Sequence, residues 1–508
     1  MYYNHKLIFN NFQKIGSTIK IVVFFLFNIL NILDRYLNIS SIYYYFIKIP
    51  VPLIISWISH IFFSIIWIMF DPFHLGFQHC IQINIYDLYL NFGIDGLSLF
   101  FIYLISFLLP LCLIHIYYSN SITFSARNSY GIALLSISFL LVIVFYTLDL
   151  LVFYIFFEGI LIPFFAYIGI SGYKKRRIHA SFLFFFYTLF GSLFMLISIF
   201  SIYLHTGTTD LELLWLSEYS SINEHFIWFA FFLSFAIKVP MFPFHIWLPE
   251  AHVEAPTEGS VFLAAILLKL GTYGFLRFLF PIFPNATYYF SPLVLLMATL
   301  SVFYTSLTTL RQIDIKKIIA YSSVAHMNVC MIGLFSFHIT SLNGSIFLMI
   351  GHGIVSAGLF FMVGFLYNRY HSKIIKYYSG LVQTMPLFSI FFFLFLLGNI
   401  SMPLTSNFIG ELLVVIGTFN SENYIPLFFV GFSILICSIY SLWLYNKMIF
   451  LMPNNRFIKH YFDLSFLELS IVLPLVLFML FLGIYPNPFF QIINPAVNYN
   501  FFELLSIH

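Results

Sequence analysis

Apolar residues run along this chain in long blocks separated by short polar stretches. Blocks of membrane-spanning length lie at 20–37, 51–70, 97–118, 130–148, 150–170, 180–204, 226–248, 260–281, 291–310, 318–337, 343–367, 386–417, 424–450 and 466–485. Crossing the hydrocarbon takes about 20 apolar residues in a helix, which satisfies its own backbone hydrogen bonds there. The pattern predicts an all-α polytopic membrane protein of about fourteen transmembrane helices. Three places strain the pattern: Asn28, Asn31 and Asp34 weaken the first block, Asp149 leaves almost no loop between two blocks, and 386–417 is too long and too broken for one simple span.

Composition agrees. Of 508 residues, 61% are hydrophobic and 8% charged, against about 25% charged in an average soluble domain. A net charge of +3 is too small to point to a nucleic-acid partner. Cys80, Cys112, Cys330 and Cys437 are scattered in or near apolar stretches without metal-ligand spacing, so they read as small hydrophobes. No glycine-rich phosphate cradle follows a strand, so no nucleotide, nicotinamide or flavin is expected on this chain. Lys6, Lys14 and Lys20 read as the flank of a retained first helix.

An even number of spans puts both termini on one side. With the termini outside, inner segments carry 16 of the Lys and Arg residues, the Lys174–Arg177 cluster among them, and outer segments carry Lys6, Lys14, Lys20 and Arg277. That asymmetry follows the positive-inside tendency. The outer stretch with Asp210, Glu212, Glu218 and Glu224 is acidic. The longest extramembrane pieces, near 71–96 and 205–225, leave no room for a soluble domain.

Four charges stand near the middle of apolar blocks: Glu158, Lys238, Lys269 and Glu411. A charge at mid-bilayer costs at least about 2.5 kcal/mol on insertion scales, so such residues tend to be functional. Two acids and two bases allow each an opposite partner. If Glu158 approaches Lys238 the ammonium is held, and if it withdraws the proton is released, a switch driven by distance. The bland alternative is a set of static pairs that only fix helix packing.

Pro240 and Pro243 follow Lys238, and Pro403 and Gly410 bracket Ser401, Thr405, Ser406 and Asn407 ahead of Glu411. Proline removes a backbone donor. Broken helices at membrane depth line cavities, often at matching places of two repeats. The breaks fall in spans seven and twelve, which suggests five-span halves. The expected organisation is 1–96 for two spans and an outer loop, 97–129 for span three, 130–285 and 286–450 for the halves, and 451–508 for span fourteen and a tail.

His326 and His352 lie inside spans ten and eleven. Either can relay protons between Lys269 and Glu411 or serve as a satisfied packing residue, and residue chemistry alone leaves both open. His245, just after the span-seven break, is a secondary candidate. The stretch Pro249–Glu258, with His252 and Glu254, has ligand-like spacing but no closed ligand set, and reads as an acidic loop at an inner pore mouth.

Lys238–Thr257 (KVPMFPFHIWLPEAHVEAPT) and Leu267–Arg277 (LLKLGTYGFLR) resemble the proton-pumping, antiporter-like membrane subunits of mitochondrial respiratory complex I, NADH:ubiquinone oxidoreductase. So do GIDGLS at Gly93–Ser98, FEGILIP at Phe157–Pro163, LTTLRQID at Leu307–Asp314, AYSSVAHMN at Ala320–Asn328 and NFIGE at Asn407–Glu411. Coverage runs from about Phe70 to Pro486; residues 1–69 match only in hydropathy. The family is similar to Mrp-type Na+/H+ antiporters, which implies fourteen helices, two inverted five-helix repeats and broken helices seven and twelve. Its polar axis maps onto Glu158, Lys238, Lys269 and Glu411, with His326 and His352 as connecting histidines. A Glu rather than a Lys in span twelve resembles the subunit 4 branch. The resemblance implies a multi-pass protein of the mitochondrial inner membrane with its termini in the intermembrane space. The implied partners are other membrane-arm subunits, including antiporter-like paralogues on either side, and membrane lipids, with cardiolipin a candidate. No cofactor is expected here, and NADH, FMN, iron–sulfur clusters and ubiquinone belong to other subunits. Protons would load the Lys238–Lys269–histidine line from inside and leave near Glu411. A stand-alone cation/proton antiporter and a non-transporting structural subunit are the rival readings.

Overall fold

The computed structural model describes residues 50–74, 76–85, 88–118, 124–172, 175–450, 452 and 461–506. The chain divides into two compact units, Met1–Ile54 and Ile55–His508. The first predicted span, 20–37, lies outside the described residues, as does Lys174 of the basic cluster.

Helix α1 (Val51–Met69) is followed by strands β1 (Gln78–Ile85) and β2 (Leu88–Ile94), an antiparallel hairpin with Gln82 opposite Asn91. Next come α2 (Ser98–Tyr118), α3 (Phe124–Tyr146), α4 (Leu150–Ser171) and α5 (Arg177–Thr206). A short α6 (Leu211–Leu214) leads to α7 (Ser221–Lys238), α8 (Trp247–Glu254) and α9 (Thr257–Ile282). Then follow α10 (Pro284–Thr309), α11 (Ile315–Leu334), α12 (Ile339–Tyr370), the one-turn α13 (Leu381–Thr384), α14 (Pro386–Ile400) and α15 (Ser406–Asn420). Helices α16 (Tyr424–Ile449), α17 (Phe466–Ile484) and α18 (Asn487–Ser506) are the remaining helices among the described residues. Among the described residues, eleven helices are long and apolar enough to cross a membrane, and α14 is a shorter apolar helix.

Side-chain burial separates centre from rim. Helix α9 is buried along nearly its whole length and α12 is buried from Ser341 to Tyr367, whereas α1, α16 and α17 turn most of their surface outward. On α5, Phe186, Phe190, Ile197 and Leu204 are exposed. A helix exposing such residues finds its solvent in lipid tails.

Both predicted breaks are present, and their backbone groups are satisfied locally. Where α7 ends, Trp247 Nε1 donates to the Ile237 carbonyl (3.0 Å), the Phe242 amide donates to Ser301 Oγ (2.6 Å), and Asn328 Nδ2 donates to the Pro240 carbonyl (3.4 Å). Tryptophan, serine and asparagine from three helices thus replace bonds the prolines forbid. Between α14 and α15, Ser401 adopts a left-handed conformation (φ 63°), and the Met402 amide turns back to the Leu397 carbonyl (3.1 Å).

Three expectations change. The outer loop near 71–96 contains the hairpin, whose Ile81 and Ile83 alternate with Gln82 and Asn84 at strand period. The C-terminal tail is helical, and Phe489 packs against Trp67 and Phe100 at ring-centroid distances of 5.4 and 4.8 Å. Pro249–Glu258 is not a pore-mouth loop: it forms α8 and the start of α9, with His252, Glu254 and Glu258 at 0%, 3% and 3% exposure. The prolines permit this because Pro249 lies in the first turn of α8 and Pro256 is the N-cap of α9, where no amide donor is missed.

Helices α12 and α15 cross at close range. A Cβ on Gly410 would lie 2.7 Å from Leu348 Cβ and 2.9 Å from its backbone nitrogen. Gly410→Ala should therefore cost about 1–3 kcal/mol of overpacking and lower the thermal midpoint of the purified assembly. Trimming Leu348 to Ala should not rescue it, because the obstruction includes backbone.

Candidate functional site

The wide turn Leu263–Leu267 in α9 is a π-helix, a departure that often marks function. It leads to Lys269, which is 0% exposed. Lys269 Nζ donates to the Ala264 carbonyl at 2.6 Å and lies 2.8 Å from His352 Nδ1 of α12. The His352 and His326 rings are 5.6 Å apart between centroids. His326 Nδ1, on α11, meets Glu411 Oε1 of α15 at 2.9 Å. His326, His352 and Glu411 are all buried. Four helices thus bring Lys269, His352, His326 and Glu411 into one row.

Glu158 and Lys238 form a second, looser group. Lys238 closes α7 just before the break, and its Nζ sits 4.3 Å from the centroid of the Phe157 ring. Neither Lys238 Nζ nor Glu158 Oε1 has a hydrogen-bond partner among the described residues. The two do not form a direct ion pair. The expected one-to-one matching of acids and bases is therefore replaced: Glu411 pairs with a histidine, and Lys269 with a histidine and a carbonyl. His245 is buried against Phe242 and Tyr304, with ring centroids 5.8 and 5.5 Å away, and is not bonded to the row. Pro240 and Pro403 lie in the two breaks.

Sequence reasoning missed two further buried clusters. On the α8 side, His115 of α2 pairs with Glu258, and its other ring nitrogen lies 3.1 Å from Asn368 Nδ2. Lys316, 0% exposed at the start of α11, donates to the Ala255 carbonyl and to Ser260 Oγ, each at 3.1 Å. Lys373 donates to the Val253 carbonyl. His252 stacks on Phe360 with centroids 4.7 Å apart, and neither of its ring nitrogens has a partner among the described residues. Lys316 and Lys373, two of the sixteen cations expected in inner segments, are thus enclosed against α8 and α9. At the other end of α9, Arg277 pairs with Asp95, and its Nε donates to the Tyr273 hydroxyl at 3.0 Å. Arg277, expected in an outer segment, is 0% exposed. Its flanks Phe275, Leu276, Phe278 and Leu279 carried that signal.

Among the described residues, no group of three or more His, Cys, Asp or Glu side chains is arranged to hold a metal ion. Lysine, histidine and glutamate side chains within hydrogen-bond reach of one another, as Lys269 and His352 are and as His326 and Glu411 are, are chemically able to exchange protons between nitrogen and oxygen atoms.

The family described as NADH:quinone oxidoreductase/Mrp antiporter, transmembrane, matches residues 147–437. NADH-ubiquinone oxidoreductase chain 4 of Marchantia polymorpha is 48% identical over 446 residues, covering 87% of this chain and 89% of its own length. The protein of the same name from Arabidopsis thaliana is 47% identical over 450 residues, with 87% and 89% covered. Among solved structures, a chain of respiratory complex I from Thermus thermophilus superposes with a TM-score of 0.82 at 29% identity, covering 90% of this chain and 96% of that one. A chain of the Mrp complex from Dietzia sp. shares the fold, with a TM-score of 0.78 at 19% identity and 90% and 93% covered.

Proposed function

The chain belongs to the NADH:quinone oxidoreductase/Mrp antiporter family, and we infer that it is a proton-translocating core subunit of the membrane arm of respiratory complex I. It works in the mitochondrial inner membrane beside other membrane-arm subunits, antiporter-like paralogues among them, and its termini face the intermembrane space. NADH oxidation and ubiquinone reduction take place on other subunits. The halves run from α3 to α9 and from α10 to α16, with the α7–α8 and α14–α15 breaks at corresponding places.

The observation that carries this reading is the buried row Lys269–His352–His326–Glu411. Lys269 in its ammonium form can pass a proton from Nζ to His352 Nδ1 across 2.8 Å. His326 can exchange a proton with Glu411 across 2.9 Å. No hydrogen bond joins the two histidine rings, so a ring rotation or a bridging water controls passage there. Lys316 and His252 supply the inner approach to Lys269, since they line the buried face of α8 and α9. Glu158 sets the proton affinity of Lys238 through its distance, and Lys238 in turn biases the row.

Glu158→Gln and Glu411→Gln in the complete complex test this. Each should lower the protons moved per NADH oxidised in sealed membrane vesicles, with assembly on native gels and NADH oxidation by an artificial acceptor retained. An unchanged proton yield in a fully assembled complex would defeat the assignment.

A further inference from the structure

His326 has a second ring nitrogen, and its surroundings are as specific as the Glu411 side. Nε2 lies 3.9 Å from Cys437 Sγ of α16. That sulfur is itself held: the thiol donates to the Asn399 carbonyl at 3.2 Å, accepts from the Tyr440 hydroxyl at 2.9 Å, and lies 3.5 Å from Asn399 Nδ2. Cys437, Tyr440 and Asn399 are 4%, 2% and 4% exposed. These residues and Ser433 line a cavity of about 10 Å³ that also touches His326 and Glu411, about the space one water requires. A cysteine that merely filled space would not gather two polar neighbours and an imidazole.

We propose that Cys437 is a positioning residue for His326, a rotating donor and acceptor that matches both protonation states of the ring. When His326 carries a proton on both nitrogens, Nε2–H points at a sulfur whose own hydrogen is turned to the Asn399 carbonyl. When Nε2 is bare, the S–H swings from Asn399 to the ring and donates to it. No proton is gained or lost at sulfur in either state, and only the S–H torsion changes. Tyr440 keeps the sulfur in place by donating to it throughout. A buried imidazole without such a partner would have one state satisfied and the other not. This inference rests on the proton-row reading and adds to it the group that keeps His326 at ease in both states.

The test uses the complete complex with Cys437→Ala, Cys437→Ser, Tyr440→Phe and Glu411→Gln. Cys437→Ala should slow coupled turnover about tenfold, whereas Cys437→Ser, which keeps a rotating hydroxyl, should rescue most of it. Infrared difference spectra during NADH-driven turnover should show a shifting S–H stretching band that is lost in Cys437→Ala and altered in Tyr440→Phe. Equal rates for the Ala and Ser variants, or a static S–H band, would overturn the proposal. If Glu411→Gln lowers proton yield while Cys437→Ala leaves coupled turnover unchanged, this proposal fails alone. If neither variant has an effect, the row reading fails with it.

Discussion

Lys269→Met should stop proton delivery along the row and cut coupled turnover about a hundredfold or more, the loss expected when a positioned proton-transfer group is removed. Methionine keeps an unbranched apolar stem in a site with no exposure but offers neither the proton nor the donor that spans 2.8 Å to His352 Nδ1. The Ala264 carbonyl, now served at 2.6 Å, would lose its side-chain donor, a modest structural cost beside the functional one. Lys269→Arg separates the explanations. Arginine keeps the positive charge but does not release its proton in proteins, so it should support assembly and fail in pumping. Protons counted per NADH in vesicles decide it: full pumping by the Arg variant would mean that Lys269 acts as a fixed charge.

The second large effect is on stability. Asp95→Asn should destabilise the subunit by about 3–5 kcal/mol, because breaking a buried pair leaves an uncompensated charge. The survivor would be Arg277, fully enclosed with its guanidinium near the Phe77 and Tyr273 rings at 5.0 and 5.4 Å. Asp95 also accepts from the Ser98 amide at 3.0 Å, which starts α2. Asparagine keeps that bond, so the loss would report the charge. The double variant Asp95→Asn with Arg277→Met should recover much of the single-variant loss, since the orphan is then gone. Thermal unfolding of the purified complex and the yield of assembled complex measure both. A single variant as stable as the unaltered protein would mean that Arg277 finds another counter-charge.

Why some of this was legible and some was not follows from where the residues sit. Glu158, Lys238, Lys269 and Glu411 stand inside apolar blocks, where a charge is conspicuous. The breaks were legible because proline and glycine change what the backbone can bond. Lys316 and Lys373 lie at block ends, where a cation ordinarily reaches headgroups, and only the folding of α8 back among the helices encloses them. The choice of His326 as partner for Glu411 depends on how α11 and α15 cross, which residue spacing along either helix does not contain. Pro249–Glu258 misled because its prolines look like loop punctuation, yet they occupy a first turn and a cap. The hairpin escaped because its alternation of apolar and polar residues is confined to one short stretch, Ile81–Asn84, between two blocks.

The seat of Gly96 has a consequence for how the molecule is made. A side-chain carbon there would come within 2.3 Å of the Ile492 carbonyl oxygen, so residues nearly four hundred positions apart meet with no room to spare. Synthesis and insertion run from the N-terminus. The early segments must therefore wait in the bilayer with that notch open until α18 emerges to close it. A nascent chain halted before α18 would leave the backbone at Gly96 facing a gap where Ile492 belongs.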